Sequence, residues 1–167
     1  MSKVGDIYRN LHGRITKKPT NFSWIIEDKL AGTGRPMTRD EFDWLVEQGI
    51  DSVITMTEEP LEKSWTDKID WLHLPTPDLE PPSSESIDKA MDFIHKRISS
   101  ESRNSLAVHC QAGLGRAGSI LACYMIRYKG YTAKKAIEYI RKERPGSIQS
   151  ESQENALFMY EKRVRAD

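Results

Sequence analysis

VHCQAGLGRAGS, residues 108–119, admits two incompatible readings. Gly113, Gly115 and Gly118 fit the spacing G-x-G-x-x-G of a dinucleotide-binding turn, whereas Cys110 and Arg116 fit C-x5-R, a cysteine held in a loop shaped to grip phosphate. Either would lie between a strand and a helix. SLAVHC (105–110) is a short apolar run of the kind buried in mid-sheet, and RAGSILACYMIRYKG (116–130) is apolar almost all round, as in a buried helix stopped by Gly130. A dinucleotide turn needs an acidic residue about 20 positions later at the end of a second strand, and several strands beyond that. Here the chain after Gly118 reads as helical, Glu138 falls inside a helix, and too little sequence remains. The nucleoside-triphosphate loop is excluded as well, because no Gly-x4-Gly-Lys-Ser/Thr occurs.

The C-x5-R reading makes demands that these residues meet. A loop from Cys110 to Arg116 that opens a helix can turn successive backbone N–H groups inward as an anion-binding nest. The phosphate-binding positions are therefore Gln111, Ala112, Gly113, Leu114, Gly115 and Arg116, with glycines at 113 and 115 letting the backbone curl tightly. Arg116 supplies a planar fork for two phosphate oxygens, which lysine could not match. The same donors favour a thiolate over a thiol, making Cys110 a nucleophile in line with a bound phosphorus. A buried, inert strand-end thiol is the plainer reading of Cys110, but it leaves an arginine between glycines at a helix start unexplained. For Cys123, within ILACYMI, the plain core reading is preferred.

Outward from this loop the elements alternate. FSWIIEDKLAGTG reads as one or two strands, and MTRDEFDWLVEQG as a helix with a Thr38/Glu41 capping box and Gly49 at its end. IDSVITM and IDWLHLP are strands, a polar stretch from Thr57 to Lys68 separates them, and a helix starts near Ser84. Thr132 caps the next-to-last helix, and Ser150 with Gln153 makes another capping-box pattern before the last. Strands early and helices late predict an α/β domain with a central, mostly parallel sheet of four to five strands flanked by helices. Residues 1–20 are polar and basic without a sustained period and read as an N-terminal extension, leaving 21–167 as a single catalytic domain.

A phosphocysteine mechanism needs a proton donor for the leaving group and then a base for water, and one carboxyl can serve both steps. Asp78, just past a strand end in the Pro-rich loop TPDLEPPSS, is the candidate, although an ordinary turn aspartate would be the commoner identity of such a residue. Glu80 is the runner-up, with Asp67, Glu58 and Glu59 more remote on solvated faces.

These residues resemble a known family. HCQAGLGRAGS matches the signature HCxxGxxR of cysteine-dependent protein tyrosine phosphatases, and the chain is most similar to atypical dual-specificity phosphatases of the VHZ type and their archaeal relatives. The resemblance runs from NFSWIIEDKLAG through PDLEPPS and VHCQAGLGRAG to LACYMI and RPGSIQSESQE, nearly everything after residue 20. It implies Cys110 as nucleophile, Arg116 as phosphate clamp, Asp78 as general acid and base, and His109 as the residue that tunes the cysteine. It places Gln149 and Gln153 beside the phosphate loop; without it Gln153 reads only as part of a helix cap. One departure stands out. The family usually carries Ser or Thr after the arginine, where its hydroxyl assists the leaving thiolate, and this chain has Ala117. Slow hydrolysis of the phosphoenzyme is expected, with Ser119 as the substitute donor.

Composition agrees with a soluble enzyme: 167 residues, 38% hydrophobic, 30% charged and a formal net charge of zero. No run of about 18 apolar residues and no signal peptide are recognisable, so a cytoplasmic monomer acting on a phosphorylated protein or peptide is expected, with no nucleic-acid or membrane partner. With only two cysteines, both are expected to be thiols. The four histidines show no ligand spacing, so neither metal nor cofactor is expected. The uncharged Gln111, Ala112 and Leu114 favour phosphotyrosine, with phosphoserine or phosphothreonine as further substrates, over a multiply charged lipid or small phosphate monoester. Sulfur transfer or arsenate reduction would not need Asp78, and Ala117 is the only local feature favouring a non-catalytic phosphate binder.

Overall fold

SLAVHC forms β5 (Ser105–Cys110), and every one of its residues is buried. In the computed structural model, which describes residues 3–98 and 104–166, β5 is the middle strand of a five-stranded sheet. The other strands are β1 (Ser23–Ile26), β2 (Leu30–Gly34), β3 (Ile50–Thr55) and β4 (Asp70–His73), in the order β1-β2-β5-β3-β4. β5 runs parallel to β2 and β3, β4 is parallel to β3, and only the edge strand β1 is antiparallel. The register sets Gly34 opposite Cys110 on one side and Thr55 opposite His109 on the other. The expected α/β class is therefore found.

The alternation of side chains along β5 divides the core. Leu106 and Val108 pack with Leu30 and Ile54 against α4 (Ser84–Ile98), α5 (Gly115–Lys129), α6 (Ala133–Glu143) and α7 (Glu151–Ala166). Ala107 faces the other way, into a smaller cluster with Phe42 and Leu45 of α2 (Arg39–Glu47) and with Ile50 and Val53. α5 is buried from Gly115 to Ile126, as its apolar circumference predicts. Each buried Leu, Ile or Phe contributes roughly 1.5–3 kcal/mol, so the strand and helix that flank the phosphate loop are its most firmly held neighbours.

Local signals fix the ends of these helices. Thr38 Oγ1 accepts from the Glu41 N–H while Glu41 accepts from the Thr38 N–H, so both arms of the α2 capping box are present. Gly130 ends α5 with φ 66°, and Thr132 caps α6 by accepting from the Lys135 N–H. The expected cap of α7 is only half formed. Ser150 accepts from the Gln153 N–H, but Gln153 Oε1 accepts from the backbone N–H of Gln149 instead of that of Ser150.

Two segments differ from the sequence reading. The polar stretch after Thr57 contains a short helix, α3 (Lys63–Thr66). More substantially, most of the N-terminal extension is a helix, α1 (Lys3–Thr16); residues 1 and 2 of the extension lie outside the described residues. Gly13 of α1 sits so close to α2 that an added Cβ would be 2.3 Å from the Glu41 carboxyl carbon. The helix is therefore docked, with Lys17 pairing with Asp40 just past its end, while Val4, Ile7 and Ile15 face outward. No helix among the described residues is long and apolar enough to cross a membrane.

Candidate active site

The loop Cys110–Arg116 leaves the centre of the sheet and enters α5, and its backbone carbonyls are tied outward. Gln111 O accepts from the Arg35 N–H (3.1 Å), Ala112 O from Asn21 Nδ2 (2.9 Å), Gly113 O from Arg144 Nη2 (2.5 Å), and Leu114 O from the Gly118 N–H (3.0 Å). In a planar trans peptide the C=O and the following N–H point in opposite directions. Holding four successive carbonyls away from the loop therefore turns the N–H groups of residues 112 to 115 toward its interior, at the N-terminus of a buried helix. This is the backbone arrangement that an anion-binding nest requires. Gly113 has φ 77°, and a Cβ there would be 2.3 Å from the Thr33 carbonyl, so this position admits glycine alone.

Cys110 and Arg116 are almost fully buried, 3% and 2% exposed. With Asp78, Leu79, Ala112, Gly115, Gln149 and Gln153 they line a cleft of about 220 Å³. Cys110, Arg116, Asp78 and both late glutamines are thus brought together, across 75 residues of sequence from Asp78 to Gln153. The side chains of Gln111 and Leu114 line neighbouring grooves instead, with Trp65 and with Arg144 respectively, and only their backbone belongs to the nest.

The two terminal nitrogens of Arg116 face four oxygens. Nη1 donates to Thr76 O at 2.6 Å and Glu58 Oε2 at 2.8 Å, with Met56 O at 3.4 Å, while Nη2 pairs with Asp78 Oδ1 at 3.1 Å. The sequence context of Glu58 predicts a solvated face, and its side chain is indeed largely exposed, yet it reaches into the site to pair with Arg116. Its Oε1 accepts from the Asp78 backbone N–H at 3.1 Å, so one carboxylate bridges the arginine and the acid loop. Partial burial pushes the Glu58 carboxyl up, but hydrogen bonds from its own N–H, Arg116 and the Asp78 N–H outweigh that, and the net shift is downward. Glu80 contributes only its backbone oxygen, which accepts from Gln153 Nε2 at 3.3 Å, and Ser150 Oγ donates to Leu79 O at 2.8 Å. The N-terminal end of α7 thus fastens the Asp78 loop at its outer edge.

Behind the cysteine, His109 is wholly buried. Burial, then the nearby Arg35 charge, pushes its pKa down to about 3, so the imidazole is neutral. Its Nε2 lies 2.8 Å from Thr55 Oγ1, which accepts from Trp71 Nε1 at 2.9 Å. Ala117 and Ser119 are both buried, and Ser119 Oγ donates to Gly115 O one turn back at 3.1 Å. The hydroxyl expected to replace the missing donor after Arg116 is therefore engaged within its own helix. Cys123 is fully buried in α5, and burial pushes its thiol up strongly, in keeping with a core residue. Among the described residues no group of three His, Cys, Asp or Glu side chains could hold a metal ion.

Comparison with known proteins identifies the class to which this arrangement belongs. Residues 19–157 match the model of a Swiss Army Knife protein, DSP-PTPase phosphatase domain, and the chain belongs to this phosphatase family. It is 36% identical over 124 residues to phosphatidylglycerophosphate phosphatase PTPMT1 of Arabidopsis thaliana, covering 70% of this chain and 36% of that protein. It is 32% identical over 146 residues to protein tyrosine phosphatase type IVA 3 of Bos taurus, covering 86% of this chain and 75% of that one. The chain thus spans about a third of the length of the Arabidopsis relative. Among solved structures, Tk-PTP in a glycine-to-alanine mutant form superposes with a TM-score of 0.79 at 26% identity, covering 88% of this chain and 98% of that one. PTPMT1 in complex with PI(5)P superposes with a TM-score of 0.77 at 25% identity, covering 87% and 97%.

Proposed function

We propose that the protein is a cysteine-dependent protein phosphatase that hydrolyses phosphotyrosine, and phosphoserine or phosphothreonine as well, through a phosphocysteine intermediate. The observation that carries this reading is the convergence of Cys110, Arg116 and Asp78 on one cleft at the mouth of a backbone nest. The substrate phosphate occupies the nest, its oxygens held by the inward N–H groups and by the Arg116 fork, which exchanges Asp78 for phosphate. The Cys110 thiolate attacks phosphorus while the ester P–O bond breaks, and Asp78 gives its proton to the leaving oxygen. The Asp78 carboxylate then takes a proton from water. The water oxygen bonds to phosphorus, the S–P bond breaks, and inorganic phosphate leaves with the thiolate restored. His109 stays neutral behind the cysteine, and Gln149 and Gln153 line the same cleft as Cys110.

This reading is of a single catalytic domain, active as a monomer without metal or cofactor. It works in a reducing compartment such as the cytoplasm, because the chemistry requires Cys110 as a free thiolate. A second reading, a phosphatase of lipid or other small phosphate monoesters, draws support from the relative named as a phosphatidylglycerophosphate phosphatase and from the superposition on a PI(5)P complex. Ala112, the side chain that the loop between Cys110 and Gly115 adds to the cleft lining, is uncharged and favours a singly phosphorylated group. Turnover of a phosphotyrosine peptide, a phosphoserine peptide and phosphatidylglycerophosphate vesicles by wild type and Asp78→Asn separates the two. A kcat/KM at least tenfold higher for the phosphotyrosine peptide supports the protein reading, and the reverse order overturns it.

A further inference from the structure

Arg144, the residue that closes α6, is 3% exposed and points back beneath the phosphate loop. Its Nη1 donates to Ser23 Oγ at 2.5 Å and to Gly32 O at 2.7 Å, and its Nη2 donates to Gly113 O at 2.5 Å. All three partners are neutral, and among the described residues no carboxylate contributes to the charge balance of this guanidinium. The guanidinium is packed so closely that an added Cβ on Gly32 would be 2.6 Å from its central carbon. Burying a cation without a counter-charge is costly, and a buried arginine is ordinarily paired. Burial pushes the Arg144 pKa down to about 10, and the one group that pushes it back up is Cys110. It therefore remains protonated at neutral pH, next to a loop whose task is to hold negative charge.

We infer that Arg144 is a positioning residue for the phosphatase site, acting from behind the loop in two ways. By holding Gly113 O outward it fixes the Gly113–Leu114 peptide, which aims the Leu114 N–H at the bound phosphate. Its missing counter-charge is supplied by the Cys110 thiolate and the phosphate dianion, so the cost of burying it falls only when the site is anionic. Coupling of this kind is reciprocal: an anion that favours the charged arginine is itself favoured by it. Arg116 and Arg144 thus divide the work, the first facing the phosphate from inside the cleft and the second supporting the nest from the core.

The inference rests on the reading of Cys110 as nucleophile, but its test needs no turnover. Arg144→Met keeps length and loses charge and fork; Arg144→Lys keeps the charge and loses the fork. Each purified, folded variant is titrated by iodoacetamide alkylation of Cys110 against pH, followed by mass spectrometry of the peptide carrying it, and by inorganic phosphate binding. In Arg144→Met the alkylation midpoint moves up by about one pH unit, the low end of what an adjacent opposite charge does to an ionising group, and phosphate binding weakens at least tenfold. In Arg144→Lys the midpoint stays near that of wild type while phosphate binding still weakens. A residue that served only folding would lower thermal stability and leave the midpoint in place. An unchanged midpoint and unchanged phosphate affinity in folded Arg144→Met overturn the inference. If that variant does not fold, phosphate affinity in Arg144→Lys within twofold of wild type overturns the peptide clamp. The phosphatase reading fails separately, by turnover that survives Cys110→Ser.

Discussion

Glu58→Gln removes one charge from the bridge between Arg116 and the acid loop while keeping the shape of the side chain. In the wild type Glu58 Oε2 is 2.8 Å from Arg116 Nη1, and Oε1 accepts from the Asp78 N–H at 3.1 Å. A hydrogen bond to a charged group contributes roughly 1.5–3 kcal/mol when protected from solvent. Arg116 is buried, but the Glu58 side chain is 54% exposed, and exposed pairs retain only about 0.2–1 kcal/mol. A loss of about 1 kcal/mol is therefore expected at pH 7, from one well-held partner and one screened one. The pH dependence follows from the downward shift of the Glu58 carboxyl in the folded protein. A depressed carboxylate stabilises the fold above its unfolded pKa of about 4.3 and loses that contribution as pH falls through the lower, folded value. Urea unfolding of wild type and Glu58→Gln at pH 7 and again at pH 3 measures this directly. The variant is expected to be less stable at pH 7 and to approach wild type at pH 3. An equal deficit at both values, or none at pH 7, refutes the bridging role.

Three other perturbations test separate parts of the site. Ala117→Ser returns a hydroxyl next to Arg116, which Ser119 cannot supply while it donates to Gly115 O; turnover should rise and any pre-steady-state burst shrink, and unchanged burst and turnover would sink the idea. Gly113→Ala forces a Cβ to within 2.3 Å of the Thr33 carbonyl at φ 77°; it should cost on the order of 2 kcal/mol or more in chemical unfolding and abolish phosphate binding. His109, with its pKa pushed to about 3, should show no titration of its imidazole NMR signals between pH 5 and 8. Because that folded value lies below the unfolded one, neutral His109 stabilises the protein above about pH 6.5, and this contribution fades as pH falls toward 3.

The parts of the molecule that could be read from sequence are those whose causes are local. The strand, loop and helix from Ser105 to Lys129, the Thr38/Glu41 capping box and the Gly130 stop each depend on residues within a few positions of one another. Asp78 stands out among five candidate carboxylates as one just past a strand end, upstream of the cysteine, and the structure places it in the cleft beside Arg116. Glu58 reads in sequence only as a remote acid candidate and Arg144 carries no signal, because their contacts are made with distant partners: Arg116 lies 58 positions from Glu58, and Gly113 lies 31 from Arg144. Nothing in MTEEPLEK separates Glu58 from Glu59, and an arginine before Pro-Gly looks like an ordinary helix end. The helix at Lys3–Thr16 did carry a signal, since Val4, Ile7, Leu11 and Ile15 recur at helical spacing. Gly5 and Gly13 weaken that pattern by about 1 kcal/mol each, and its apolar side faces outward, so neither propensity nor burial marked the segment as part of the fold.

The central claim is that Cys110 carries the phosphoryl group. Rapid acid quench of the enzyme with a phosphotyrosine substrate, followed by mass spectrometry of the peptide containing residue 110, tests it most directly. A phosphorylated Cys110 peptide in the wild type, with both adduct and turnover absent in Cys110→Ser, is the predicted result; turnover that persists in Cys110→Ser contradicts the account.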